Sequence, residues 1–196
     1  MVLTPRVPSK DAEQARFLAN ELRGIGRMRS QTGGRVTRRM HARQSRLLIE
    51  VALPRAIAIA ENYLLVTATR LIKPVLLTTA PPPSPPDLDT VRLRNCAKSF
   101  PKLIHIWDSD FGVDLSALPS WSYFEESRDL RHVLVHRLGT WQPGIDSPHP
   151  RLAARLGRVA ANPDAYRGEV PMAATELQHG IDTVLSIVSE ADQSLP

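Results

Sequence analysis

Between residues 47 and 71, apolar side chains recur every three or four positions: Leu47, Leu48, Val51, Ala52, Ile57, Ile59, Ala60, Tyr63, Leu64 and Leu71. That spacing places one face of a helix in a core, whereas a half-buried strand would need strict alternation. The run therefore commits the chain to a long buried helix, beginning near Thr37. Pro54 is expected to kink this helix rather than end it, because the pattern resumes at once. A second stripe, Leu177, Ile181, Val184, Leu185 and Val188, predicts a last helix over residues 172–189. Alternating stretches and internal repeats are absent from the sequence, so the expected fold is all-α: four main helices in an up-and-down bundle after a basic N-terminal extension.

Glycine and proline punctuate the rest. Residues 11–22 read as a short helix, broken by Gly24, Gly26 and the Gly33-Gly34 pair into a flexible basic linker. The proline run at 80–86 predicts an extended connection, after which Asp87 or Asp89 caps a helix through Cys96 and Phe100 that Pro101 closes or bends. Residues 103–107 form a short apolar segment and 108–112 a turn. Pro119 and Ser120 open another helix, which Gly139 stops, and a short helix is expected over 151–161. The resulting division is a basic arm at 1–44, a bundle at 45–192 and a tail at 193–196.

The net charge of +5 is unevenly placed. Residues 1–60 carry 12 Lys or Arg against 4 Asp or Glu, whereas the remaining 136 residues carry 13 against 16. Arg23, Arg27, Arg29, Arg35, Arg38, Arg39, Arg43 and Arg46 follow one another without an intervening acid. Such a run suits a polyanion such as RNA, an acidic partner protein, or simply a solvated face. A single cysteine, Cys96, allows no internal disulfide and favours a reducing compartment, the cytoplasm, with Cys96 itself read as core. Residues 1–10 lack the apolar segment of a signal peptide, and charges interrupt every window of about 18 residues across 47–80, so no membrane span is expected.

The chemistry concentrates at residues 131–139, Arg-His-Val-Leu-Val-His-Arg-Leu-Gly, on a stretch that reads as helix. Arginine holds its charge at any working pH and forks onto phosphate oxygens, while histidine exchanges a proton near neutrality. Together they can cleave a phosphodiester without a metal. The run resembles the signature of the HEPN superfamily of helical ribonucleases: Arg, a polar residue, three further residues and His, often continuing as Val-His-x-x-Gly. Arg131, His132, His136, Val135 and Gly139 occupy those positions, and Glu61-Asn-Tyr-Leu-Leu is similar to the family's first helix. The resemblance covers residues 45–192.

It implies a HEPN-like bundle, a homodimer, and a metal-independent endoribonuclease with no cofactor. In that reaction the ribose 2′-hydroxyl attacks the neighbouring phosphorus, with His136 moving the proton and Arg131 stabilising the transition-state charge. It further implies the toxin or effector of a toxin–antitoxin or phage-defence pair, with a possible antitoxin as protein partner. Geometry adds a separate argument for dimerisation. On a regular helix Arg131 and His136 stand about 140° apart, so two chains packed about a two-fold axis could bring one chain's arginine to the other's histidine.

Other residues carry competing readings. His132, one turn before His136, can orient substrate or tune His136, can form half of a zinc site, or can be a surface histidine. Glu61 can orient a site group, neutralise Arg131 without substrate, or simply be polar surface. Arg128 and Arg137 are candidates for the RNA backbone or solvated arginines, with Glu125, Glu126 and Asp129 as helical-spacing partners. Trp107, Trp121 and Trp141 can stack bases or anchor a core or interface, and His41, His105, His149 and His179 form no constellation. Two alternatives stand beside the nuclease: a non-catalytic helical module that binds nucleotide or a partner, and a DNA-binding regulator using the arginine-rich arm.

Overall fold

The computed structural model describes residues 8–31, 38–78, 99–141, 150–158, 168–173 and 175–196. In chain order the elements are α1 (Lys10–Gln31), α2 (Arg38–Thr78), α3 (Phe100–Phe111), a single 3-10 turn (Leu115–Ala117), α4 (Trp121–Arg137), β1 (Thr140–Trp141), α5 (Pro150–Gly157), β2 (Gly168–Glu169) and α6 (Glu176–Ser194). The all-α class holds, with one departure: β1 and β2 pair antiparallel, Thr140 with Glu169 and Trp141 with Gly168. Two residues per strand are too few for an alternating pattern to register. The Gly33-Gly34 linker, the proline run, the Asp87 or Asp89 cap, Cys96 and His149 lie outside the described residues. So do Arg35 and the side chains of Arg27, Arg29, Arg38, Arg39, His41 and Arg43.

The core forms where α1, α2 and α6 meet and α4 packs across α2 and α6. α1 contributes small residues, Ala12, Ala15 and Ala19, all buried, which let its backbone approach its neighbours closely. Its start is tied down: Ser9 Oγ accepts from the Ala12 N–H at 3.2 Å, and the Ser9 N–H donates to Asp192 Oδ2 of α6 at 3.0 Å. Tyr63 of α2 donates to the other oxygen of buried Asp192 at 3.2 Å, so one carboxylate joins three helices. Burial first, then the Asp192 charge, raise the Tyr63 phenol above its ordinary value. Gly180 of α6 sits against Leu53 of α2 so tightly that a Cβ there would overlap Leu53 Cδ1.

Three sequence expectations need correction. α1 does not stop at residue 22 but runs past Gly24 and Gly26 to Gln31. Each glycine costs a helix only about 1 kcal/mol, too little by itself to end a helix whose earlier turns are already packed. Pro101 neither closes nor bends a helix; it stands in the first turn of α3, where its missing N–H has no partner to lose. Residues 103–111 therefore continue one helix, ended by Gly112 with a left-handed φ of 66°. α2 runs unbroken through Pro54, and its segment Arg46–Ile72 is apolar and long enough to cross a bilayer, with half of its richest window buried by the other helices.

The three tryptophans are all buried, Trp107 donating its Nε1–H to the Leu64 carbonyl at 3.1 Å. Phe100 and Trp121 stack with centroids 6.0 Å apart, which seats α3 on the start of α4.

Candidate active site

α4 carries the motif, and its helical geometry sorts the side chains. Taking Arg131 as zero, Arg128 lies about 60° around the axis, His132 about 100° and His136 about 140°, a broad arc that also contains the exposed Val135 at about 40°. Arg137, at about 240°, points away from that arc and is half-buried in the last turn. The structure thus groups Arg128, Arg131, His132 and His136 and leaves Arg137 apart.

Glu61 of α2 binds both arginines, one with each oxygen. Its Oε1 accepts from Arg128 Nε at 2.8 Å and its Oε2 from Arg131 Nη1 at 2.5 Å. Glu61 thus bridges two guanidiniums at a site where Arg131 is still 35% exposed. Arg128 is held twice, because its guanidinium carbon also lies 3.5 Å from the centroid of the Phe100 ring. On the outer side of α4 the His132 and His136 rings face each other at 4.8 Å, tilted by 47°, and both residues are exposed. Among the described residues no cluster of three metal-binding side chains includes this pair.

The helix end is also unusual. Leu138 takes a left-handed φ of 51° and Gly139 follows at 77°, its N–H donating to the Val133 carbonyl at 3.1 Å. Two successive left-handed residues turn the chain sharply into β1. A Cβ on Gly139 would come within 2.9 Å of Arg46 Nη2, so the turn closes directly onto the start of α2. Leu138 itself is 86% exposed, beside Val135, and the adjoining edge of α2 exposes Leu47 and Val51. On α2 those two residues share an edge with Glu61, since 47, 51, 54, 58 and 61 step by three and four. Along the axis of α2, Val51 lies about 15 Å and Leu47 about 21 Å before Glu61.

Sequence reasoning missed the Phe100 contact and the pairing of Glu126, which joins Arg155 of α5 rather than an arginine on its own helix. It also left the arginine run undivided. Arg23 pairs with Asp182 of α6, and Arg46 pairs with Glu50 at 2.8 Å and Glu169 at 2.6 Å. Both arginines of that run whose side chains are described are thus engaged in holding the fold. Compared with known proteins, the chain matches no family model, no curated protein and no solved structure.

Proposed function

We propose that this protein is a metal-independent endoribonuclease of HEPN type, acting as a homodimer and serving as the toxin or defence effector of a cytoplasmic system. The observation that carries the reading is the sector on α4: two arginines gathered by Glu61, next to two exposed, adjoining imidazoles. Arg131 offers its charge to a phosphate, and Glu61 occupies that guanidinium until a phosphodiester of the polyanionic substrate takes its place. Arg128, pinned by Phe100, keeps the positive charge in position. His136 then moves the proton of the 2′-hydroxyl or of the leaving oxygen, with His132 beside it. The products are a 2′,3′-cyclic phosphate and a 5′-hydroxyl.

In one chain Arg131 leans onto α2 while His136 stands on the outer side of α4. A two-fold dimer across the α2/α4 edge would bring Arg131 of one chain toward His136 of the other. The exposed apolar residues Leu47 and Val51 on α2, Val135 on α4 and Leu138 after it support that contact. Leu138 does so most directly, because a large apolar residue is kept on the surface in a conformation costing about 1–2 kcal/mol. Leu138→Gly is expected to raise the stability of the isolated chain by about 1 kcal/mol while weakening self-association. Urea unfolding read beside sedimentation checks both directions; unchanged association would remove Leu138 from the interface.

The decisive test incubates the purified protein with mixed RNA in EDTA and reads the product ends. Cleavage leaving cyclic phosphate, lost in His136→Ala, supports the nuclease. No cleavage by either protein leaves the alternative, a helical module that binds nucleotide or an acidic partner such as an antitoxin.

A further inference from the structure

On the far side of α4 from Glu61, a cleft of 630 Å³ opens between α5, the segment 171–173 and the start of α6. Its floor is Arg155, which donates to Glu176 at 2.5 and 3.0 Å and to Glu126 at 2.6 Å. Both carboxylates are buried, and both are bound to this one guanidinium. Burial alone would lower the Arg155 pKa, but hydrogen bonds and attraction from Glu176, then Glu126, outweigh it and hold the group above its ordinary value.

Two more arginines line the same cleft, Arg151 and Arg158, four residues before Arg155 and three after. That spacing sets all three on one face of α5 and the turn that follows it. Arg151 is placed at the mouth: its guanidinium carbon lies 3.7 Å from the Tyr123 ring centroid and its Nε donates to Ser122 Oγ at 3.1 Å. Tyr123 in turn meets the edge of the His179 ring at 5.3 Å. The opposite wall, Pro171, Met172 and Ala173, is apolar. The cleft thus combines a fixed floor of two carboxylates on one guanidinium, two outer arginines that bring the charge of the lining to +1, and an apolar wall. Guanidiniums bind backbone phosphates, and an apolar wall can bury the face of a base.

We propose that this cleft is a subsite for single-stranded RNA, in which Arg151 and Arg158 bind backbone phosphates and the 171–173 wall receives a base. The subsite deepens the nuclease reading and rests on it for its role. Glu126 and His136 are ten residues apart on α4, about 15 Å along the axis, so a strand held at His136 reaches the cleft within a few nucleotides.

The test uses the full chain and a fluorescent ten-residue oligodeoxyadenylate, which lacks the attacking hydroxyl and is not consumed. Each neutralised phosphate on a single strand contributes about 0.7 to the salt slope of binding. Arg151→Gln with Arg158→Gln is expected to reduce that slope by about 1.4 and to weaken binding at least tenfold at low salt. Arg158→Gln alone, at an exposed site past the helix end, is expected to remove about half of the slope change and keeps the test readable if the double variant misfolds. The corresponding lysine variants should retain the slope. An unchanged slope in the glutamine variants overturns the subsite even if RNA is cleaved. A lost slope in a protein that cleaves no RNA keeps the strand site and discards the nuclease. Inorganic phosphate or a mononucleotide binding as tightly as the ten-mer shows a small-anion site and overturns the strand.

Discussion

An Arg131→Ala chain and a His136→Ala chain, each nearly inactive alone, are expected to recover about a quarter of the wild-type rate of RNA cleavage once their subunits exchange. The number follows from symmetry. Random exchange makes half of the dimers mixed, and a mixed dimer has one site with both residues intact and one site with neither. Each single variant should fall by about 10²- to 10⁴-fold, the range for losing a general acid–base or a transition-state cation. Mixing thus lifts activity from near background to a readily measured fraction. Recovery requires Arg131 and His136 to act from different chains, as their separation of about 140° on α4 suggests. If the mixture stays at the sum of its parts although exchange is demonstrated by mass, the composite site is wrong. If the single variants cleave as well as wild type, the motif is not the active site at all.

Arg155→Met should be the most damaging single substitution for stability, at about 3–5 kcal/mol, a large part of the 5–15 kcal/mol that holds a typical domain together. The side chain is 17% exposed, and its partners Glu126 and Glu176 are 10% and 9% exposed. With the guanidinium gone, two buried carboxylates meet without a counter-charge, and the cost is their desolvation and mutual repulsion more than the lost attraction. Adding Glu126→Gln and Glu176→Gln to Arg155→Met should therefore restore most of the loss, because neutral amides carry no such penalty. Urea unfolding of the single and triple variants provides the measurement. A single variant within about 1 kcal/mol of wild type would show that water or a rearrangement already screens the pair.

Local signals in the chain were legible wherever one element's own residues decide its form. The three-and-four spacing of Leu47 to Leu71 announced α2, Leu177 to Val188 announced α6, and Gly139 marked the turn after the motif helix. The errors came where a local preference of about 1 kcal/mol met packing. Gly24 and Gly26 read as the end of α1, but the helix whose earlier turns bury Ala12, Ala15, Ala19 and Leu22 continues through both. Pro101 was ambiguous because a proline suits both the place where a helix stops and the place where one begins.

By itself the sequence determined that this protein is helical, that α2 and α6 each bury an apolar face, and that an arginine and two histidines share one helix, but not the exact face of α2, where Leu47, Val51 and Leu71 are exposed. Those outcomes depend on periodicity and on residues within a turn of one another, so the order of residues contains them. Only the tertiary structure decided that Glu61 gathers Arg128 and Arg131 from 67 and 70 residues away, and that Arg155 joins Glu126 and Glu176 across 29 and 21. Charges that far apart in the chain find their partners through the packing of whole helices, and side-chain spacing carries no record of which helix will lie beside which.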